Sequence, residues 1–241
     1  MGEPDFDTPW HISRAAVVCL EDGGTHYTSN LGTPKLRQSI VRYLERRIGA
    51  TYDWEREVLA TVGVSEAIDL AVRALCSPGD EVLYHEPCFV SYAATVRLAH
   101  AVPVVVETRV EDGFRLTVEA LEAKVTPRTK ALLLNFPCNP TGASLERGKM
   151  LEILRFCEKH DIILLADEVY SELSYDQDAS DGKLCSFAIG IVNSLLAFGH
   201  SLHIFLQGNQ LTLFMAVEQQ QILGHVLVGA VIRHSAVLQL A

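Results

Sequence analysis

Charge is scarce at one end of this chain. Beyond Lys183 the only formally charged residues are Glu218 and Arg233, although 58 residues remain. The first 183 residues therefore hold 19 of the 20 basic and 29 of the 30 acidic side chains, which places a boundary near Ser186. Basic clusters interleaved with aromatics are also missing, and the net charge is -10, so a phosphate backbone has nothing to follow and nucleic acid is excluded as a partner. The six cysteines (Cys19, Cys76, Cys88, Cys138, Cys157, Cys185) form no C-x-x-C pair. That removes a zinc site or a disulfide framework and suits a reducing cytoplasm. The opening "MGEPDFDTPW" has no basic segment leading into an apolar one, so no secretory signal is read. What is present is a 241-residue chain, 49% hydrophobic, able to bury a sizeable core as one large domain or two modest ones.

From about Val58 short apolar runs alternate with amphipathic stretches. "VLATV" leads to "SEAIDLAVRALC", "EVLYH" to "CFVSYAATVRLA", "VPVVVE" to "TVEALEAKV", "KALLLN" to "SLERGKMLEILRFCEKH", and "IILLAD" follows. Continuous apolar runs of this length suit strands buried on both faces, and the segments between them carry helical period. The pattern predicts an α/β fold with a mainly parallel sheet and flanking helices.

In such sheets ligands sit beyond the carboxyl ends of the strands. Gly63, Val64 and Ser65 follow the first run, where a helix tip and a hydroxyl could hold a phosphate; an ordinary Ser65 N-cap fits the same residues. Phe89 follows the second and could stack on a flat ligand, or simply belong to the core. Asn139, stiffened by Pro137 and Pro140, could donate to a ring oxygen, or sit in a plain Pro-rich connection. Asp167 could hold a protonated ring nitrogen and Tyr170 reach the same ring's phenolic oxygen; the alternatives are a solvated carboxylate and a half-buried aromatic. The set suits a flat, phosphorylated heteroaromatic ligand.

"HYTSNLGTPKLRQSIVRYL", "VGVSEAIDLAVRAL", "DEVLYHEPCFVSY", "NFPCNPTG" and "ILLADEVYSELSYD", in that order, resemble the class I/II pyridoxal-phosphate aminotransferases of fold type I, from residue 2 to about 187. The resemblance implies pyridoxal 5'-phosphate as cofactor, with Val64 and Ser65 on its phosphate, Phe89 on the ring face, Asn139 and Tyr170 on the phenolic oxygen, and Asp167 on the ring nitrogen. Asp167 and Tyr170 are the implied catalytic groups. It implies that Tyr27 reaches the phosphate of a neighbouring subunit in a homodimer, and that Gly2 lies near the substrate carboxylate. It implies transamination between an amino acid and a 2-oxo acid.

The sequence departs from the family in its second part. The Schiff-base lysine expected well past Asp167 is not found; the only later lysine, Lys183 in "SDGKLCSF", is disfavoured because a charged loop is usually solvated. The arginines expected beyond it are missing too, Arg233 having no matching context, and His200 and His203 make no metal site without a further ligand. Residues 1–187 are read as an incomplete cofactor-binding large domain with a truncated start. Residues 188–241 are read as an apolar tail, either a membrane segment (184–206 is long enough to span) or, preferred, a frame-shifted product. Activity is expected to be impaired, and a non-catalytic cofactor-binding fragment or inactive partner chain is the alternative.

Overall fold

The computed structural model describes residues 7–171, 212–217 and 229–232. Two helices come first, α1 (Trp10–Glu21) and α2 (Pro34–Ile48), followed by β1 (Leu59–Val62), α3 (Gly63–Leu75), β2 (Glu81–Glu86), α4 (Ser91–Leu98), β3 (Val102–Glu107), α5 (Val118–Glu122), β4 (Thr129–Asn135), α6 (Arg147–Lys159), β5 (Ile163–Asp167), β6 (Thr212–Val217) and β7 (Gly229–Ile232). The seven strands form one sheet in the order β1-β6-β7-β5-β4-β2-β3. Only β7 runs against its neighbours, so the sheet is mainly parallel, as the alternating pattern predicts. Two of its strands come from beyond residue 188.

Local chemistry explains the element ends. The Thr33 side chain accepts from the Leu36 amide and Pro34 fills the first helical position, so α2 starts where both signals coincide. It stops at Gly49, whose φ of 71° few other residues adopt. Helix α6 begins at Arg147, two or three residues later than the Ser144 or Leu145 that the pattern suggests. Glu146 there keeps an extended backbone and acts as the cap position.

The buried strands divide their side chains by parity. Leu132 and Leu134 of β4 join Leu83, Leu164, Met150, Ile153, Phe156 and Cys157 on the face covered by α5 and α6. Ala131 and Leu133 join Val82, Tyr84, Ile163, Leu165, Ile68, Val72, Tyr92 and Val96 on the face covered by α3 and α4. A strand that feeds two cores reads as an unbroken apolar run, which is why "KALLLN" shows no alternation. Neither face needs a disulfide, and the five described cysteines are free. No helix among the described residues is long and apolar enough to cross a membrane, and 184–206 lies outside them.

At the amino-terminal edge of the sheet Glu81 is buried and fully engaged. Its carboxylate accepts from Thr126 Oγ1 (2.5 Å), Thr129 Oγ1 (3.4 Å), and Arg128 Nε (3.1 Å) and Nη2 (2.6 Å). The Thr126 hydroxyl first, and then Arg128, hold its pKa below the usual carboxylate value. This cluster ties β2 to the start of β4 at the end away from the residues discussed next.

Candidate active site

The parallel register sets Asn135, the last residue of β4, directly beside Asp167, the last residue of β5. Both are nearly inaccessible, at 1% and 7% exposure. Asp167 Oδ2 accepts from the Tyr92 hydroxyl at 2.6 Å, and Oδ1 accepts from the Val169 amide at 3.2 Å. Among the described residues no lysine, arginine or histidine pairs with this carboxylate. Burial lifts its pKa above the ordinary value, and the two hydrogen bonds pull partly back. Tyr92 is itself fully buried in α4, and burial with the adjacent Asp167 charge keeps its proton in place. It is therefore a fixed donor.

The segment after β4 folds back over this pair. Asn135 Nδ2 donates to the Asp167 carbonyl at 3.0 Å, while Asn135 Oδ1 accepts the Asn139 amide at 2.8 Å. Asn139 Nδ2 in turn lies 3.3 Å from the Tyr170 hydroxyl. A carboxylate, a carboxamide and a phenol thus converge from two adjacent strand ends. Phe89, two residues before α4, meets Tyr92 edge-to-face with centroids 5.9 Å apart, and leaves over a third of its surface open.

The tip of α3 completes the rim. Val64 and Ala67 pack against Val169, so the helix starts beside the carboxyl end of β5. No side chain caps its first amides, and the residue in the cap position is Val62, not a serine. Ser65 is exposed in the first turn, so the ordinary N-cap reading of that serine does not hold. Instead the Val62 amide donates to the Glu66 carboxylate, one turn on. Bare helix amides at the positive end of a dipole, next to a hydroxyl, form a site for an anion.

The structure therefore gathers Val64, Ser65, Phe89, Asn139, Asp167 and Tyr170 at one end of the sheet. Tyr27 is fully exposed and points away from the chain's own core. Gly2 and Lys183 lie outside the described residues, as do His200, His203 and Arg233. Sequence reasoning missed two members of the site. Tyr92 looks like one more core aromatic, with nothing in its sequence context to mark it as the partner of Asp167. Asn135 was overlooked in favour of Asn139, although it is the residue that ends the strand. Among the described residues no group of three or more potential metal ligands gathers here.

The donor set fits a phosphorylated pyridine: a desolvated carboxylate for a cationic ring nitrogen, an amide and a phenol for a ring oxygen, and a helix tip for phosphate. Known proteins resemble this chain in sequence and in fold. The sequence profile described as "Aminotransferase class I and II" matches residues 1–199. The chain is 44% identical over 176 residues to the aspartate aminotransferase of Pyrococcus abyssi, which is 73% of this chain and 45% of that protein. It is 43% identical over 176 residues to the arginine–pyruvate transaminase of Pseudomonas aeruginosa, covering 73% of this chain and 44% of that one. Its fold superposes on the crystal structure of the aromatic aminotransferase from Pyrococcus horikoshii with a TM-score of 0.78 and 34% identity, over 98% of this chain and 58% of that one. The chain thus spans about half the length of the curated relatives it matches.

Proposed function

Because the chain belongs to the class I and II aminotransferase family, we propose that the strand-end cluster holds pyridoxal 5'-phosphate for transamination between an amino acid and a 2-oxo acid. The observation that carries this reading is Asp167, a buried carboxylate with no cationic partner among the described residues. Leaving such a charge unpaired is costly, and a protonated ring nitrogen is the partner that would offset it. Bound pyridoxal phosphate supplies a ring that accepts the electron pair left when the substrate's α-proton departs. Asp167 keeps the proton on the ring nitrogen, and Tyr92 keeps Asp167 ionised and oriented. Asn139 Nδ2 and the Tyr170 hydroxyl donate to the phenolic oxygen. Val64 and Ser65 present the α3 tip to the phosphate, and Phe89 covers one ring face. The relatives' names span aspartate, aromatic amino acids and an arginine–pyruvate pair, so an amino acid with a 2-oxo acid is the substrate class.

A homodimer in the cytoplasm belongs to the same reading. Helix α1 buries none of its residues, and Trp10, Val17, Leu20 and Tyr27 are exposed, as expected of surface that meets a second copy. Residues 1–187 carry the residues of this reading, and residues 188–241 differ from them in composition although β6 and β7 pair within the same sheet.

A second reading rests on the absent lysine. Lys183 is the only lysine after Asp167, so the chain would bind the cofactor without turning over, as a non-catalytic fragment or partner. One titration separates the two. Saturable change in cofactor absorbance together with steady 2-oxo acid production supports transamination; saturation without production supports the second reading. No saturable binding at all refutes both.

A further inference from the structure

We infer that Asn135, held from beneath by His85, is a positioning residue that sets the spacing between Asp167 and Asn139 and so selects a 3-hydroxypyridine ligand. The inference rests on the cofactor reading above and adds to it two residues that do not touch the ring.

Asn135 is committed on three sides. Its Nδ2 holds the Asp167 carbonyl, its Oδ1 holds the Asn139 amide, and its own backbone N–H donates to His85 Nε2 at 3.3 Å. His85, 2% exposed near the end of β2, stacks on Phe136 with centroids 4.7 Å apart and an interplanar angle of 20°. Phe136 is the neighbour of Asn135 in sequence, so the ring contact and the hydrogen bond fix the same short stretch of backbone. Burial lowers the His85 pKa to about 4, so the ring is neutral near pH 7 and free to accept.

The side-chain chemistry leaves little choice at position 135. The site needs a donor at one end and an acceptor at the other, both buried, and a carboxamide alone supplies that pair at this length. A carboxylate would set an oxygen against the Asp167 carbonyl. An apolar isostere would leave the Asn139 amide and the Asp167 carbonyl short of a partner. Asp167 meets the ring nitrogen and Asn139 the ring oxygen, so one carboxamide fixes the distance between the two groups that would read the ligand's polar edge.

The test measures binding to the full chain of three probes: pyridoxal 5'-phosphate, its analogue lacking the 3-hydroxyl, and inorganic phosphate. Asn135→Asp should weaken the first about tenfold, the loss expected for one buried hydrogen bond, and leave inorganic phosphate unchanged. Its preference for the hydroxylated ring over the analogue should collapse. His85→Phe, which keeps an aromatic ring on Phe136 but cannot accept, should shift the preference the same way. His85→Gln, which can accept, should restore it. These two carry the test if Asn135→Asp does not fold. A preference unchanged in all three variants overturns the inference and leaves the cofactor reading intact, as does an equal loss for all three probes, which would mark a merely structural role. If the unsubstituted chain itself binds pyridoxal phosphate no better than inorganic phosphate, both readings fall.

Discussion

Replacing Asp167 by asparagine should make the unliganded protein more stable, although it removes the group on which the proposed chemistry depends. The carboxylate is 7% exposed, and its only described partners are one hydroxyl and one amide. Its folded pKa lies above the ordinary 3.8, so between these values the folded chain holds more protons than the unfolded one. Stability must then fall as pH rises through that window and stay reduced above it. Each unit of displacement corresponds to about 1.4 kcal/mol. An asparagine avoids the cost: its oxygen can keep the Val169 amide, and the Tyr92 hydroxyl can rotate to accept from its nitrogen. A net gain of about 1–3 kcal/mol near neutral pH is expected, the range for relieving one poorly compensated buried polar group. Urea unfolding of both proteins without cofactor, from about pH 4 to about pH 8, reads the difference directly. The gap between them should widen with pH. Cofactor at about a hundred times its dissociation constant should add about 2.7 kcal/mol to the parent and far less to the variant. An Asp167→Asn protein that is less stable than the parent near pH 7, or a gap that does not depend on pH, would refute the account of an uncompensated charge.

Other consequences are as direct. Tyr92→Phe removes the 2.6 Å donor, so Asp167 should hold its proton to higher pH and cofactor affinity should drop about tenfold or more in absorbance titration, since hydrogen bonds to charged groups are worth about 1.5–3 kcal/mol. Glu81→Gln should cost about 1–3 kcal/mol in urea unfolding by weakening the Thr126 and Arg128 bonds, with cofactor binding unchanged. Gly32→Ala should destabilise by about 1–3 kcal/mol, because φ is +88° there and the added carbon would lie 2.6 Å from Ala60 Cβ. His85, with its pKa depressed to about 4, contributes stability above its unfolded value of 6.5 that is lost as pH falls toward 4. His85→Gln should flatten that acid limb, by about 3 kcal/mol at full displacement.

Much of the layer architecture was legible, because strands that feed two cores leave unbroken apolar runs and the helices between them keep their period. The strand order was not. That β6 and β7 enter the sheet between β1 and β5 depends on pairings distant in sequence, which no local pattern encodes. Within the site, Asp167, Asn139 and Tyr170 could be placed because each follows a strand-like run at once or within a few residues. Asn135 was hidden by its position: it ends the apolar run and so passes for the strand's last residue, while the prolines draw the eye to Asn139. Tyr92 was hidden by chemistry, since a tyrosine with no exposed surface and one hidden partner is written like any core aromatic. The start of α3 was legible only as two readings, for a physical reason. A serine before an acidic residue is a cap signal, but Gly63 and Val64 turn helical first and carry Ser65 into the first turn.

The division of the β4 side chains between two faces has an outcome for error that neither core nor site has alone. Sliding this strand by one residue would turn Leu132 and Leu134 toward the helices that Ala131 and Leu133 now meet, and the same half-turn would swing Asn135 away from Asp167. No mispaired form could keep a sound interior and a damaged pocket, or the reverse. Cofactor capture would then report on correct threading of the whole sheet, and a chain that takes up the ligand would be one whose central strand found its proper partners.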